Sequence, residues 1–188
     1  MYYHASPVKD ISILKPNRSN HNIPLIYFSD KRENVLVYLS NAVEKFCKEN
    51  NFPYTGTWMK WGPYGFGKDG RLRYSEYYPD ALSETYKGVA GYIYSCENIQ
   101  KKDFPLNIPN AYVSETETFV TGCEYIKDAY TEFLKAEQNG LITIIYYEEF
   151  ISKRADWLNK TIKEEYNKSA DHPEYRYFLE NKFKKYLI

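Results

Sequence analysis

Short runs of β-branched and aromatic residues open the chain. Met1-Tyr2-Tyr3-His4 reads as a brief strand, and Pro24-Leu25-Ile26-Tyr27-Phe28 reads as a second one after a polar connector. The period then lengthens to that of a helix. Val35, Leu39, Ala42, Val43 and Phe46 recur at helical spacing, and Asp30 with Glu33 three residues later predicts a capping box at its start. The apolar stripe is expected to face a sheet.

From residue 51 to 88 the periodicity dissolves into Gly, Pro and aromatics, Trp58, Trp61, Tyr64, Phe66, Tyr74, Tyr77 and Tyr78 among them, with one short helix predicted from Pro79. Disordered segments are poor in such rings, so a folded flap is expected. Regular pattern resumes at 91–95 (Gly-Tyr-Ile-Tyr-Ser), 111–114 (Ala-Tyr-Val-Ser) and 118–120 (Thr-Phe-Val), which read as strands. A helix is predicted over 124–138. Thr121 and Glu124 suggest its capping box, Ile126, Ala129, Tyr130, Phe133 and Leu134 its stripe, and Asn139-Gly140 its left-handed stop. The most β-prone run, 141–147 (Leu-Ile-Thr-Ile-Ile-Tyr-Tyr), is expected to be a central strand. Two helices should close the chain, one carrying Ala155, Leu158, Ile162 and Tyr166, the other opening at Pro173 with Tyr175, Phe178, Leu179 and Phe183 on one face. The pattern is that of an α+β protein without internal repeats.

Length changes this picture little: 188 residues suit one domain that buries roughly two-thirds of the surface of its unfolded form. We expect a single domain over 1–188, with 51–88 as an aromatic-rich insertion and 152–188 as C-terminal helices. Charge narrows the partners, because 25 basic residues balance 25 acidic ones and leave no overall positive field toward nucleic acid or an anionic membrane. No run approaches the about eighteen apolar residues that span a bilayer, and the N-terminus lacks the plan of a signal peptide, so no membrane and a cytoplasmic location are expected. Three cysteines without a CxxC pair suit a reducing compartment and read as small buried hydrophobes. Aromatics reach 18 %, with 21 Tyr, a composition equally suited to clefts that stack flat ligands and to half-buried surfaces.

Several signals point to no chemistry. The glycines of 62–67 surround Pro63 and bulky rings, unlike a phosphate-cradling loop. His21 and His172 stand far apart without ligands at metal spacing, so no metal is expected. His4 and Ser6 share a strand face without a third partner for a hydrolase triad. Lys182, Lys184 and Lys185 read as a solvated helix end.

One stretch carries a constellation. Tyr3-His4-Ala5-Ser6, the run 11–16 (Ile-Ser-Ile-Leu-Lys-Pro), Ile26-Tyr27-Phe28-Ser29-Asp30 and Tyr38 follow one another, with Tyr27 and Tyr38 eleven apart. In order and spacing this resembles the NAD-binding half of the ADP-ribosyltransferase superfamily, closest to the His-Tyr-Glu branch that contains diphtheria toxin and the poly(ADP-ribose) polymerases. The resemblance covers about a fifth of the chain and implies a split β-sheet core with flanking helices and a C-terminal helical extension. It further implies that His4 bonds the 2′-hydroxyl of the adenosine ribose, Ala5 offers its backbone to the nicotinamide carboxamide, Ser6 assists at the ribose, and Tyr27 and Tyr38 sandwich the nicotinamide. Physically, an electron-poor pyridinium is well held between ring faces.

The family's acid is displaced. The strand Asn110-Ala111-Tyr112 is similar to the family's Asn-Glu-Tyr strand, but Ala111 stands where the Glu falls. Glu115 and Glu117, spaced as ExE, lie just beyond and are the candidate catalytic carboxylates; in extended backbone residues two apart share a face. Val35, three before Tyr38, replaces a Ser that in many relatives bonds the carboxamide. The resemblance thus implies an NAD-binding protein, with NAD as substrate, that transfers ADP-ribose to an unspecified protein, nucleic acid or small-molecule acceptor. Two rivals remain: a catalytically inactive relative acting as a nucleotide- or protein-binding module, favoured by Ala111, and an RNA-handling relative like the RNA 2′-phosphotransferases, disfavoured by the balanced charge.

Overall fold

The computed structural model describes all residues except 19–22, 57–61 and 107, so Trp58, Trp61 and His21 lie outside the described residues. In chain order β1 (Tyr2–Ser6), β2 (Ile13–Leu14), β3 (Asn17–Arg18) and β4 (Pro24–Ser29) lead into a 3-10 helix (Arg32–Leu39) and α1 (Ala42–Glu49). Next come β5 (Tyr64–Phe66), β6 (Leu72–Ser75), α2 (Ala81–Tyr86) and β7 (Gly91–Cys96). The chain continues through β8 (Ala111–Ser114), β9 (Thr118–Phe119), β10 (Gly122–Ile126), α3 (Ala129–Gln138) and β11 (Thr143–Ile145). It ends in α4 (Tyr147–Lys168), α5 (Pro173–Lys182) and α6 (Lys184–Leu187). The fold is mixed α+β with open antiparallel sheets. Among the described residues no helix is long and apolar enough to cross a membrane.

The chain divides into two compact units: Met1–Leu39, Gly65–Arg73 and Tyr86–Thr143 form the first, and Ser40–Tyr64, Tyr74–Thr85 and Ile144–Ile188 the second. In the first, the main sheet runs in the order β10-β7-β1-β4-β3, with β8 also pairing β4. The short strands β2 and β9 pair separately, Ile13 opposite Phe119 and Leu14 opposite Thr118. One apolar cluster gathers Leu14, Ile26, Phe28 and Cys96, with Tyr2, Ile11, Tyr112 and Val120 at its margin. Arg32 ties the 3-10 helix to β10 and α3, donating from Nε to Glu124 at 2.8 Å and from Nη2 to Glu124 at 2.6 Å and Glu132 at 2.9 Å.

The second unit is helical. Val43 and Cys47 of α1, Leu158 and Ile162 of α4, and Tyr175, Phe178 and Leu179 of α5 share one core with Phe183. Phe52 stacks on Tyr177 at 4.1 Å between ring centroids. The buried carboxylate of Glu76 accepts the Leu82 N–H on one oxygen at 2.9 Å and the Tyr147 N–H on the other at 3.2 Å, satisfying amides at the starts of α2 and α4 that have no helical partner.

Four local expectations are corrected. The helix anticipated from Asp30 onward is two elements, the 3-10 helix and α1, parted at Ser40-Asn41. Asn41 is extended (φ −124°, ψ 126°) and its side chain accepts the Glu44 N–H, so it caps α1. Residues 122–126 form a strand rather than a helical start, and Asp128 caps α3 by accepting the Thr131 N–H at 2.7 Å. The run 141–147 contributes only the three residues of β11, at the edge of its sheet, because Tyr147 already opens α4. Pro173 does open a helix.

Candidate functional site

The site grows from an asymmetry in how β1 is paired. On one side β1 is laddered to β7 along its whole length, from Tyr2 opposite Cys96 to Ser6 opposite Tyr92. On the other it meets β4 at a single position, Tyr3 opposite Ser29. Beyond that position the imidazole of His4 takes over: Nδ1 donates to the Tyr27 carbonyl at 2.9 Å. The backbone pairing of β1 with β4 thus ends at Tyr3, and a side-chain bond joins the two strands beyond it. Alternation puts Tyr2, His4 and Ser6 on one face of β1, and the His4 ring packs edge-on to Phe28 at 6.1 Å.

The gap continues into a cleft of about 460 Å³. His4 and Ser6 line it from β1 and Tyr27 from β4, Ile13, Leu25 and Ile26 give it an apolar wall, and Lys15 is the one cation among the described residues of the lining. Because a carbonyl only accepts, the bond to Tyr27 fixes the proton of His4 on Nδ1 and leaves Nε2 with its lone pair, suited to receive a hydroxyl. Burial pushes the His4 pKa below its ordinary value, with the bond to Tyr27 acting weakly the other way, so the ring is neutral at pH 7. Ser6 Oγ accepts the Val8 N–H at 3.1 Å and keeps its own hydrogen to donate. Such a cleft combines an apolar wall, a hydroxyl acceptor and one cation. It suits a flat ring joined to a polyhydroxylated, anionic group.

Of the residues singled out from the sequence, His4, Ser6 and Tyr27 come together at this cleft, and Ala5 lies buried between the first two. Tyr38 does not belong to the lining: it stands 43 % exposed on the 3-10 helix. Ala111 begins β8 opposite Ser29. Glu115, just past β8, is held in an ion pair by Lys102. Glu117 pairs at 3.4 Å with Lys15, a residue of the cleft lining, and itself lines a separate hollow with Thr116 and Phe119. Lys15 was not evident as a site residue in the sequence. Its position directly after the apolar pair Ile13-Leu14 of β2 was the available signal, since a cation ending an inward-facing strand stands at a rim.

Two acceptor oxygens near the end of β4 have no partner among the described residues, Asp30 Oδ1 and Asn34 Oδ1. Asp30 accepts the Tyr112 hydroxyl on its other oxygen at 3.0 Å, and the Asn34 amide donates to the Gly70 carbonyl at 3.2 Å. These bonds fix the turn that leads from β4 into the 3-10 helix. The chain as a whole matches no family model, no curated protein and no solved structure, and its function is therefore read from the cleft.

Proposed function

We propose that this chain is an NAD-binding ADP-ribosyltransferase-like protein, which transfers ADP-ribose from NAD to an acceptor. The observation that carries the reading is the parting of β1 from β4 at His4, with His4, Ser6 and Tyr27 lining the cleft so opened. It agrees with a split sheet and with the implied places of His4 and Ser6, whereas Tyr38, the implied second wall of the nicotinamide sandwich, stands outside the lining. The neutral Nε2 of His4 receives a ribose hydroxyl, the apolar wall takes the flat nicotinamide, and Lys15 answers the negative diphosphate.

In the transfer, the bond between ribose C1′ and the nicotinamide nitrogen breaks and its electron pair leaves with nicotinamide. The acceptor attacks C1′ and releases its proton. A carboxylate near the ribose stabilises the positive charge that develops on the sugar. With Ala111 in the family's acid position, Glu117 is the better candidate for that role, because its partner Lys15 belongs to the cleft lining, whereas Glu115 is engaged by Lys102. Ala111 also supports a second reading, in which the chain binds NAD or ADP-ribose without chemistry. Incubation with NAD labelled in the nicotinamide decides: release of labelled nicotinamide supports transfer, saturable binding without release supports the binding module, and no binding removes both.

A further inference from the structure

The hollow beside Glu117 has a character of its own. It measures about 340 Å³ and lies within the first unit, between the turn after β7, which supplies Glu97, Asn98 and Gln100, and the chain around β9, residues 116–121. Two carboxylates line it, and among the described residues of its lining there is no cation. Two of the three threonines in its lining add acceptors rather than donors. Thr118 Oγ1 donates to the Thr116 carbonyl at 3.3 Å and Thr121 Oγ1 to the Ser95 carbonyl at 3.1 Å, so each hydroxyl has spent its hydrogen and keeps only lone pairs. Phe119 projects from β9 with 72 % of its surface in water, while its neighbour Thr118 is buried. An anionic hollow, rich in acceptors and bordered by a bare aromatic face, is complementary to a planar cation rich in donors.

We propose that this hollow binds a guanidinium group, as an arginine side chain of a partner polypeptide presents it. The plane of the guanidinium stacks on Phe119, and its forked N–H groups meet the carboxylates of Glu97 and Glu117 and the side-chain oxygens of Asn98 and Gln100. Glu117 is available for this because its pair with Lys15 is exposed on both sides, and such pairs hold weakly. An ammonium fits less well, since it is a point charge and cannot lie flat on the ring. The proposal shares Glu117 with the transfer reading, but its test uses no NAD and reads arginine binding alone.

The test is a titration of the ¹⁵N-labelled protein with Nα-acetyl-arginine amide, read by amide shifts. The expected result is saturable shifts confined to residues 97–100 and 116–121, weaker binding of Nα-acetyl-lysine amide, and no shifts with the neutral norleucine analogue. Glu97→Gln, Glu117→Gln and Phe119→Ala should each weaken the arginine probe by roughly threefold to tenfold. These side chains are exposed, so an amide spectrum unchanged elsewhere shows that each variant is folded. Absence of saturable shifts, shifts spread over other acidic surfaces, binding undiminished by the three substitutions, or equal binding of the lysine probe each overturn the proposal.

Discussion

His4 and Tyr27, twenty-three residues apart, are joined by a bond from imidazole Nδ1 to backbone carbonyl at 2.9 Å, and this bond lies where β1 and β4 cease to pair. Replacement by alanine removes the bond that the Tyr27 carbonyl accepts from the imidazole. His4→Ala should therefore lower stability by about 1–3 kcal/mol, read from urea unfolding. It should also abolish saturable NAD binding under conditions where the variant remains folded.

The same residue sets an acid sensitivity. Burial depresses the pKa of His4 in the folded state below the unfolded value of about 6.5. A depressed value means that the folded form prefers the neutral ring, so the contribution of His4 is complete above that pH and is lost as pH falls through the folded pKa. Urea midpoints should fall between pH 7.5 and the acid side of this window. In His4→Gln, which has no such titration, the fall should be smaller.

Glu117 and Glu115 differ in their partners, and this separates them as candidate acids. If transfer occurs, Glu117→Gln should slow nicotinamide release roughly 100-fold. Glu115→Gln, whose parent side chain is held by Lys102, should leave release close to the parent rate. The reverse order, measured with labelled NAD, would assign the role to Glu115.

Gly70 has φ +73°, and a Cβ built there would collide with the side-chain amide of Asn110. Gly70→Ala should cost about 1–3 kcal/mol by thermal or urea unfolding, combining backbone strain with collision. Asn110 itself has φ +60°, which glycine adopts freely, so Asn110→Gly removes the obstructing amide without new strain. In the double variant the two losses should sum to less than the separate effects, the sign of a direct contact.

In the second unit, Glu76 accepts a backbone N–H on each carboxylate oxygen. Glu76→Gln turns an N–H against one of them, and should cost about 1–3 kcal/mol. Faster hydrogen exchange at the Leu82 and Tyr147 amides is the direct readout.

What was legible from sequence follows a physical line. Runs with one clear period were readable: β1, β4, β7 and the helix from Pro173 lie where pattern and local turn chemistry agree. Both anticipated capping boxes were drawn into distant partnerships instead. Asp30 accepts the Tyr112 hydroxyl, Thr121 donates to the Ser95 carbonyl, and Glu124 receives Arg32, while Asn41 and Asp128 do the capping. A side chain that can cap a helix can equally serve a strand far away, and sequence spacing does not distinguish the two. At the candidate site, alternation along β1 placed His4 and Ser6 together, but the bond to Tyr27 and the arrival of Lys15 at the rim depend on how separate strands meet. The split between the 3-10 helix and α1 at Ser40 was hidden for a related reason. The apolar spacing runs through it without interruption, yet Leu39 ends one compact unit and Ser40 begins the other.

The bond from imidazole to carbonyl that joins β1 to β4 lies beside a cleft already formed within the protein. A visitor need not wait for strands to unzip before entering, and its arrival rate should follow diffusion and collision geometry rather than a slow gating step.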